Sequence, residues 1–274
     1  MNIDFENITM SEIVGLINDP NKCPGGKNSV RRVLQETLLP SKSIIVEIGS
    51  NTGFTSIELA LRRPDCSVIG IDINVDSVNY ANEKARKFNI KNVQFFKDNA
   101  TEITTITPKS VDLLFVSNVM SFIEDKDKAF ENYDKVLKDG GIVCFIPIYY
   151  YSQPPQNLVN TVEKLIAGNL TKNTLNDWLT LFQKKMKEYA LFFQEDYKFV
   201  DISENKIKSY VDDVFGQCKT LALNDEDERR LNKRFYKMLL TFNENLKFCQ
   251  FSILLYRKTL ANTEPQLNEY IKLI

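Results

Sequence analysis

Glu47, Gly49 and Gly53 stand together in the run Ile44–Phe54, IIVEIGSNTGF, where an apolar stretch ends in an acid and two glycines follow four residues apart. Glycine tolerates positive φ and lets backbone approach closely. Gly49 and Gly53 therefore mark a bare turn from a strand into a helix. The first N–H groups of that helix face outward at the positive end of its dipole. A ligand at the carboxyl edge of a parallel sheet would lie across such a turn. A second acid, Asp72 in GIDIN, follows Gly49 by 23 positions. That spacing suits an acceptor for both hydroxyls of a ribose. Asp72 or Asp76 could instead cap the next helix, with Asp76 the better placed. The glycines do not make the dinucleotide fingerprint, which needs glycine where Asn51 and Phe54 stand. Asn51 makes a poorer pyrophosphate cradle, and Glu47 repels a diphosphate while suiting an amino-bearing ligand.

Composition narrows the chemistry further. The chain of 274 residues has no histidine, so it lacks the commonest general base and the commonest metal ligand. Carboxylates, tyrosines, lysines, amides or a reactive cofactor must serve instead. No clustered acids have metal spacing, and no metal is expected. The net charge is −1 and no basic stripe runs through the chain, so no nucleic-acid partner is expected. The start, MNIDFEN, has neither a basic nor an apolar leader region, and no apolar run reaches membrane-spanning length. Five scattered cysteines without a CxxC pair read as reduced thiols in a cytoplasmic protein. Oligomeric state is not legible.

The elements that must position these residues follow from periodicity. Helices are expected over 11–18 and 28–39, the second with Val30, Val33, Leu34, Thr37 and Leu38 on one stripe and Asn28 or Ser29 as cap. From 43 onward strands and helices alternate: strands at 43–48, 67–72, 92–97, 111–116 and 141–147, helices at 53–63, 75–88 and 125–137, and a short helix near 101–106. Alternation with strands apolar on both faces predicts a parallel sheet covered on both sides. Helices at 155–167, 174–188, 203–215 and 225–247 then interrupt two last strands, 189–200 and 248–258. The fold class is α/β: a Rossmann-like, doubly wound, mostly parallel seven-stranded sheet with a helical cap. The expected organisation is an N-terminal helical lid (1–40), a cofactor-binding core (41–151), cap insertions (152–188 and 203–248), the last strands of the sheet (189–202 and 249–258) and a tail (259–274). Gly25 and Gly26 would hinge the lid.

At this point the residues carry a resemblance. VEIGSNTGFTSIELA resembles the first motif of class I S-adenosylmethionine-dependent methyltransferases, VIGIDIN their second, NVQFFKDNATEI the strand-3 motif, and VDLLFVSNVMSFIED with VLKDGGIVCFIPI strands 4 and 5. The resemblance covers roughly residues 40–150 and implies S-adenosyl-L-methionine as cofactor and S-adenosyl-L-homocysteine as product. It implies that Glu47, Gly49, Ser50, Asn51 and Gly53 hold the methionine part, with Glu47 organising the loop. Asp72 takes the ribose hydroxyls and Ile73 packs on adenine. Asn99-Ala100 stands at the strand-3 motif with Asp98 one place early; either Asn99 or Asp98 meets the adenine amino group, Asn99 by preference, and Ser117 lies near the methionine end. Two positions depart from the pattern. Asn51 replaces the middle glycine, which calls for a slightly different loop or an asparagine in the left-handed region, and Asn99 replaces the usual aspartate.

The resemblance implies methyl transfer by in-line displacement, with the protein supplying alignment and a dry, enclosed pocket. A small-molecule acceptor is expected, nitrogen or carbon in preference to oxygen because no histidine base exists. Tyr149, Tyr150 and Glu244 are weak catalytic candidates; the tyrosines read equally well as aromatic packing, and Glu244 reads better as part of a solvated helix face. A protein or RNA methyltransferase, or a non-catalytic module that binds the cofactor, remain alternatives. A nicotinamide oxidoreductase is the least suited to Asn51 and Glu47.

Overall fold

The computed structural model describes residues 4–5, 7–17, 22–168, 170, 172–217 and 224–259. The expected tail, apart from Thr259, lies outside them. Two helices open the chain, α1 (Met10–Ile17) and α2 (Lys27–Thr37). The alternating half follows as β1 (Ile44–Ile48), α3 (Phe54–Arg62), β2 (Ser67–Asp72), α4 (Val75–Lys87), β3 (Val93–Lys97), β4 (Val111–Ser117), α5 (Lys126–Val136) and β5 (Leu137–Ile146). Then come β6 (Ile148–Tyr150), α6 (Gln156–Ile166), α7 (Leu175–Lys185), β7 (Tyr189–Lys198), α8 (Glu204–Gln217), α9 (Asp225–Leu246) and β8 (Cys249–Lys258).

The sheet runs β3-β2-β1-β4-β5-β8, with the first five strands parallel and β8 antiparallel to β5. β7 pairs along the other edge of β8. The order reverses between β1 and β4, and the crevice at such a reversal is where open α/β sheets bind ligands. Eight strands stand among the described residues because Pro147 divides the expected strand 141–147 from its continuation. Proline has no N–H for the ladder, so the chain steps at Pro147 and β6 pairs with β8 alone.

Both faces of the sheet are covered, as strands apolar on both sides require. Helices α2, α3 and α4 bury Val30, Val33, Leu59 and Ala81 on one face; each such valine or leucine stabilises the fold by about 1.5–3 kcal/mol. On the other face α5 and α7 bury Phe130, Tyr133, Trp178 and Phe182. A third apolar cluster joins α1, α6, α8 and α9 through Ile13, Ile17, Leu165, Val211 and Phe235. The N-terminal forty residues thus divide: α1 belongs with the cap helices and α2 with the sheet.

Three local expectations are corrected. The short helix near 101–106 is a loop folded around Asp98, whose carboxylate accepts the N–H groups of Asn99 (2.8 Å), Thr104 (2.9 Å) and Thr105 (2.8 Å). An acid that gathers backbone donors in this way outcompetes a helix. Helix α2 begins at Lys27 after Gly26 and has no side-chain cap, so neither Asn28 nor Ser29 caps it. It ends at Thr37, and Leu38 turns left-handed and is 83% exposed instead of joining the buried stripe.

Candidate active site

Four strand ends converge at the reversal point. The turn from β1 into α3 is held left-handed at three residues: Gly49 (φ 74°), Asn51 (φ 44°) and Gly53 (φ 84°). Asparagine supplies the conformation that the middle position needs, and its Oδ1 accepts the N–H of Thr52 at 2.7 Å. The glycines have neighbours that demand them. A Cβ on Gly49 would sit 2.8 Å from Val119, and one on Gly53 2.8 Å from Phe95 and 3.0 Å from Ala81. The N–H groups of Gly49, Ser50, Asn51, Thr52 and Gly53 all find acceptors within the fold. The polar surface offered here therefore comes from side chains.

Asp72 is the first of these. Its two oxygens accept the N–H groups of Asn51 (2.8 Å) and Asn74 (2.9 Å). Asn74, not Asp72 or Asp76, caps α4 through bonds from Asp76 and Ser77. Each carboxylate oxygen of Asp72 has further acceptor capacity. Ile73 beside it is 68% exposed, an apolar side chain open to solvent next to the acid.

Ser50 lies in the turn and Ser117 ends β4, and the hydroxyl oxygens of both are buried without a partner among the described residues. Buried polar atoms ordinarily have partners. Two such hydroxyls beside a left-handed turn, an acid with spare acceptor capacity and an exposed isoleucine fit a ligand with ribose, amino-acid and aromatic parts.

Glu47 lies beneath the turn instead of on its surface. It is 4% exposed, and its carboxylate accepts the Ser56 hydroxyl at 2.5 Å. Burial pushes its pKa up to about 7, against hydrogen bonds from Ser56 and Thr55. It fastens the first turn of α3 to β1. Asp98 is buried and committed to its own loop, with Thr105 Oγ1 at 2.6 Å. Burial opposes its ionisation, but the bonds from Thr105, Asn99 and Thr104 outweigh it and hold the pKa below the usual range. Asn99 is exposed next to it, its Oδ1 taking the N–H and hydroxyl of Thr101. Ala100 is buried.

The weak catalytic candidates separate. Tyr149 is buried, 3.0 Å from the Ser252 hydroxyl, which donates to Asp196 at 2.6 Å. Burial raises the Tyr149 pKa. Tyr150 donates to Asn245 Oδ1 at 3.0 Å. Glu244 is exposed and pairs with Lys247 at 2.7 Å, so the structure brings it to the surface of α9. The thiols of Cys23 and Cys249 are buried, which pushes both pKa values up to about 12. They stay protonated and are poor nucleophiles. Cys66 and Cys144 are also free and buried, and Cys218 lies outside the described residues.

Sequence reasoning missed Val119 and Phe95, which close over the glycines. No spacing signal marks them, because both contacts cross between strands. A separate hollow of about 490 Å³ lies beside Asp127, Asp134, Lys185 and Tyr189. It sits at the amino edge of the sheet, away from the turn. Among the described residues no three or more acids or cysteines gather as a metal site, and no helix is long and apolar enough to cross a membrane.

Comparison with known proteins agrees with this geometry. A family model described as a methyltransferase domain matches residues 39–196. An uncharacterised protein of Haemophilus influenzae is 23% identical over 225 residues, 81% of this chain and 86% of that one. The crystal structure of MccD protein superposes with a TM-score of 0.71 at 21% identity, covering 87% of this chain and 100% of that one. Phosphoethanolamine N-methyltransferase 2 of Haemonchus contortus, solved with S-adenosyl-L-methionine, gives a TM-score of 0.66 at 17% identity, covering 92% of this chain and 57% of that one. The family model spans more than half of the chain and the Rossmann-like sheet is shared with these structures, and the chain belongs to the class I S-adenosylmethionine-dependent methyltransferases.

Proposed function

We propose that this enzyme methylates a small molecule, at nitrogen or carbon in preference to oxygen, in a pocket enclosed by the carboxyl edge of the sheet and the helical cap. The observation that carries the cofactor site is the pair of unpartnered buried hydroxyls, Ser50 within the left-handed turn and Ser117 at the end of β4. S-adenosylmethionine supplies a methyl group activated on a sulfonium sulfur. Asp72 accepts the ribose hydroxyls on the lone pairs that Asn51 and Asn74 leave open. Ile73 packs against the adenine, and Asn99 with Ala100 meets its amino edge. Ser50 and Ser117 orient the methionine end, while Asp98 and Glu47 act one layer back by fixing the loops.

Enclosure supports a small acceptor. The cap helices have their own apolar cluster, and the chain's near-neutral charge offers no track for a polyanion. The absence of histidine supports nitrogen or carbon as the acceptor atom. The reading also has the enzyme work without a metal, in the cytoplasm. Relatives widen the panel worth screening: an arsenite methyltransferase of Halobacterium salinarum is 23% identical over 134 residues, 48% of this chain and 34% of that one.

The test is calorimetric titration of cofactor-stripped protein with S-adenosylmethionine, S-adenosylhomocysteine and NAD in parallel. The first two should bind and NAD should not. Asp72→Ala should weaken both by about 10- to 100-fold, the cost of charge-assisted hydrogen bonds. Unchanged affinity in that variant would remove Asp72 from the site, and binding of NAD alone would overturn the reading.

A further inference from the structure

A small cavity of about 10 Å³ lies between the ends of β4 and β5 and helix α7, within about 170 Å³ of space that opens to solvent. Its wall includes Val116, Phe145, Pro147 and Phe182 on the apolar side and Asn118 and Ser121 on the polar side. Trp178 also lines it, is 1% exposed, and has an indole Nε1 buried with no partner among the described residues. The indole N–H is a donor only, so what satisfies it must be a lone pair. The room suffices for about one oxygen-sized atom.

Position ties the cavity to the reaction. The 3-10 turn Val119–Ser121 follows β4 directly. Val119 of that turn closes over Gly49, while Met120 and Ser121 line the cavity. One short turn therefore forms both the roof of the glycine turn and a wall of the cavity. The ring of Trp178 is fixed by Phe182 at 5.7 Å, which in turn stacks on Phe145 at 4.1 Å. A donor held this rigidly is suited to orienting a partner.

We infer that this cavity is an acceptor subsite in which the Trp178 indole N–H takes a neutral oxygen, a carbonyl or hydroxyl, carried by the methyl acceptor near its methylated atom. This rests on the methyltransferase reading given above. The occupant is neutral because no lysine or arginine lines the cavity. A carboxylate or phosphate would be desolvated there with only neutral partners and no cation to balance its charge, at high cost. A carbonyl needs only the donor. A hydroxyl can also give its proton to Asn118 Oδ1, which among the described residues accepts a long 3.4 Å bond from Ile148. Trp178 is thus a positioning residue that sets acceptor specificity.

The chain has one tryptophan, so protein labelled with ¹⁵N at the indole shows a single indole N–H cross-peak. The protein is saturated with S-adenosylhomocysteine and titrated with acetone, acetate and isobutene in separate samples. Acetone should move the indole proton downfield and slow its exchange with solvent; acetate and isobutene should do neither. An equal response to isobutene would mean an apolar void, and a dominant response to acetate would mean an anion site. No response to any of the three would leave only trapped solvent as occupant. Each of these outcomes overturns the inference. Calorimetry with S-adenosylhomocysteine on the same preparation separates the two readings. Failure to bind it sinks the methyl-transfer reading, whereas failure of the indole response with normal binding sinks only the subsite.

Discussion

Glu47 shows how one residue can be conspicuous in the sequence and yet act out of sight. Its buried carboxyl has a pKa of about 7, raised from 4.5 by desolvation. Below about pH 4.5 the group is protonated in both folded and unfolded chains and makes no difference. Between 4.5 and 7 the unfolded chain ionises and the folded one does not, so stability falls as pH rises. Above 7 both are ionised and the full loss persists. With no histidine in the chain, no other side chain has its ordinary pKa between 5.5 and 7.5. Wild-type stability should therefore drop by about 2 kcal/mol across that interval. Glu47→Gln, which can still accept from Ser56, should stay flat. Urea midpoints at three pH values measure this, and a wild-type midpoint that rises with pH would show that Glu47 is ionised and paired.

Asp98 works in the opposite sense at the same scale. Its folded pKa is lowered, so its contribution is present above the unfolded value and lost as pH falls through the folded one. The two acids titrate in separate windows, which keeps the Glu47 experiment clean.

At the level of elements, the turn between β1 and α3 is where backbone geometry and function coincide. Gly53 is left-handed and its missing Cβ leaves room for Phe95 and Ala81. Gly26 is at positive φ too (φ 55°, ψ −134°), in a region that glycine almost alone adopts, but a Cβ there meets nothing within 4 Å. Gly26→Ala should cost about 1–3 kcal/mol, from backbone strain without crowding. Gly53→Ala should cost at least about 2 kcal/mol, since Phe95 must also move. Thermal melts of the two variants test this, and a Gly53→Ala loss of no more than about 1 kcal/mol, the left-handed penalty alone, would mean that Phe95 yields without cost. Gly53→Ala should also weaken S-adenosylhomocysteine binding, because Phe95 leads directly into the Asp98 loop.

Across the whole molecule three apolar clusters divide the labour. Two sandwich the sheet and one belongs to the cap. The stretch from α1 to α2 bridges them, since Ile13 and Ile17 lie in the cap's cluster and Cys23 in the sheet's. Gly25 and Gly26, both at positive φ, end that bridge. Our lid proposal is that ligand at the turn draws the cap and sheet together across this stretch. Lys22 is exposed immediately before Cys23, which offers trypsin a bond to cut. S-adenosylhomocysteine should slow that cleavage several-fold in a time course followed by mass spectrometry. Cleavage at the same rate with and without it would mean that the stretch takes no part in closure.

The sequence by itself determined the sheet, its alternating helices and the bare turn after the first strand. These are local: hydrophobic period sets each element, and Gly49, Asn51, Gly53 and Asp72 announce themselves by residue type and spacing. Asn51 was readable as left-handed because few other side chains tolerate that region. Tertiary structure alone decided the rest. That Asp98 gathers a loop where the pattern suggested a helix, and that Pro147 splits a strand, depends on which donors lie within reach once the chain is folded. That Glu47 faces Ser56 below the turn depends on which side of β1 the helix packs. Trp178 had no meaning in its own segment. It comes to the ends of β4 and β5 only because α7 crosses that face, and a contact between distant segments leaves no periodic trace in a single chain.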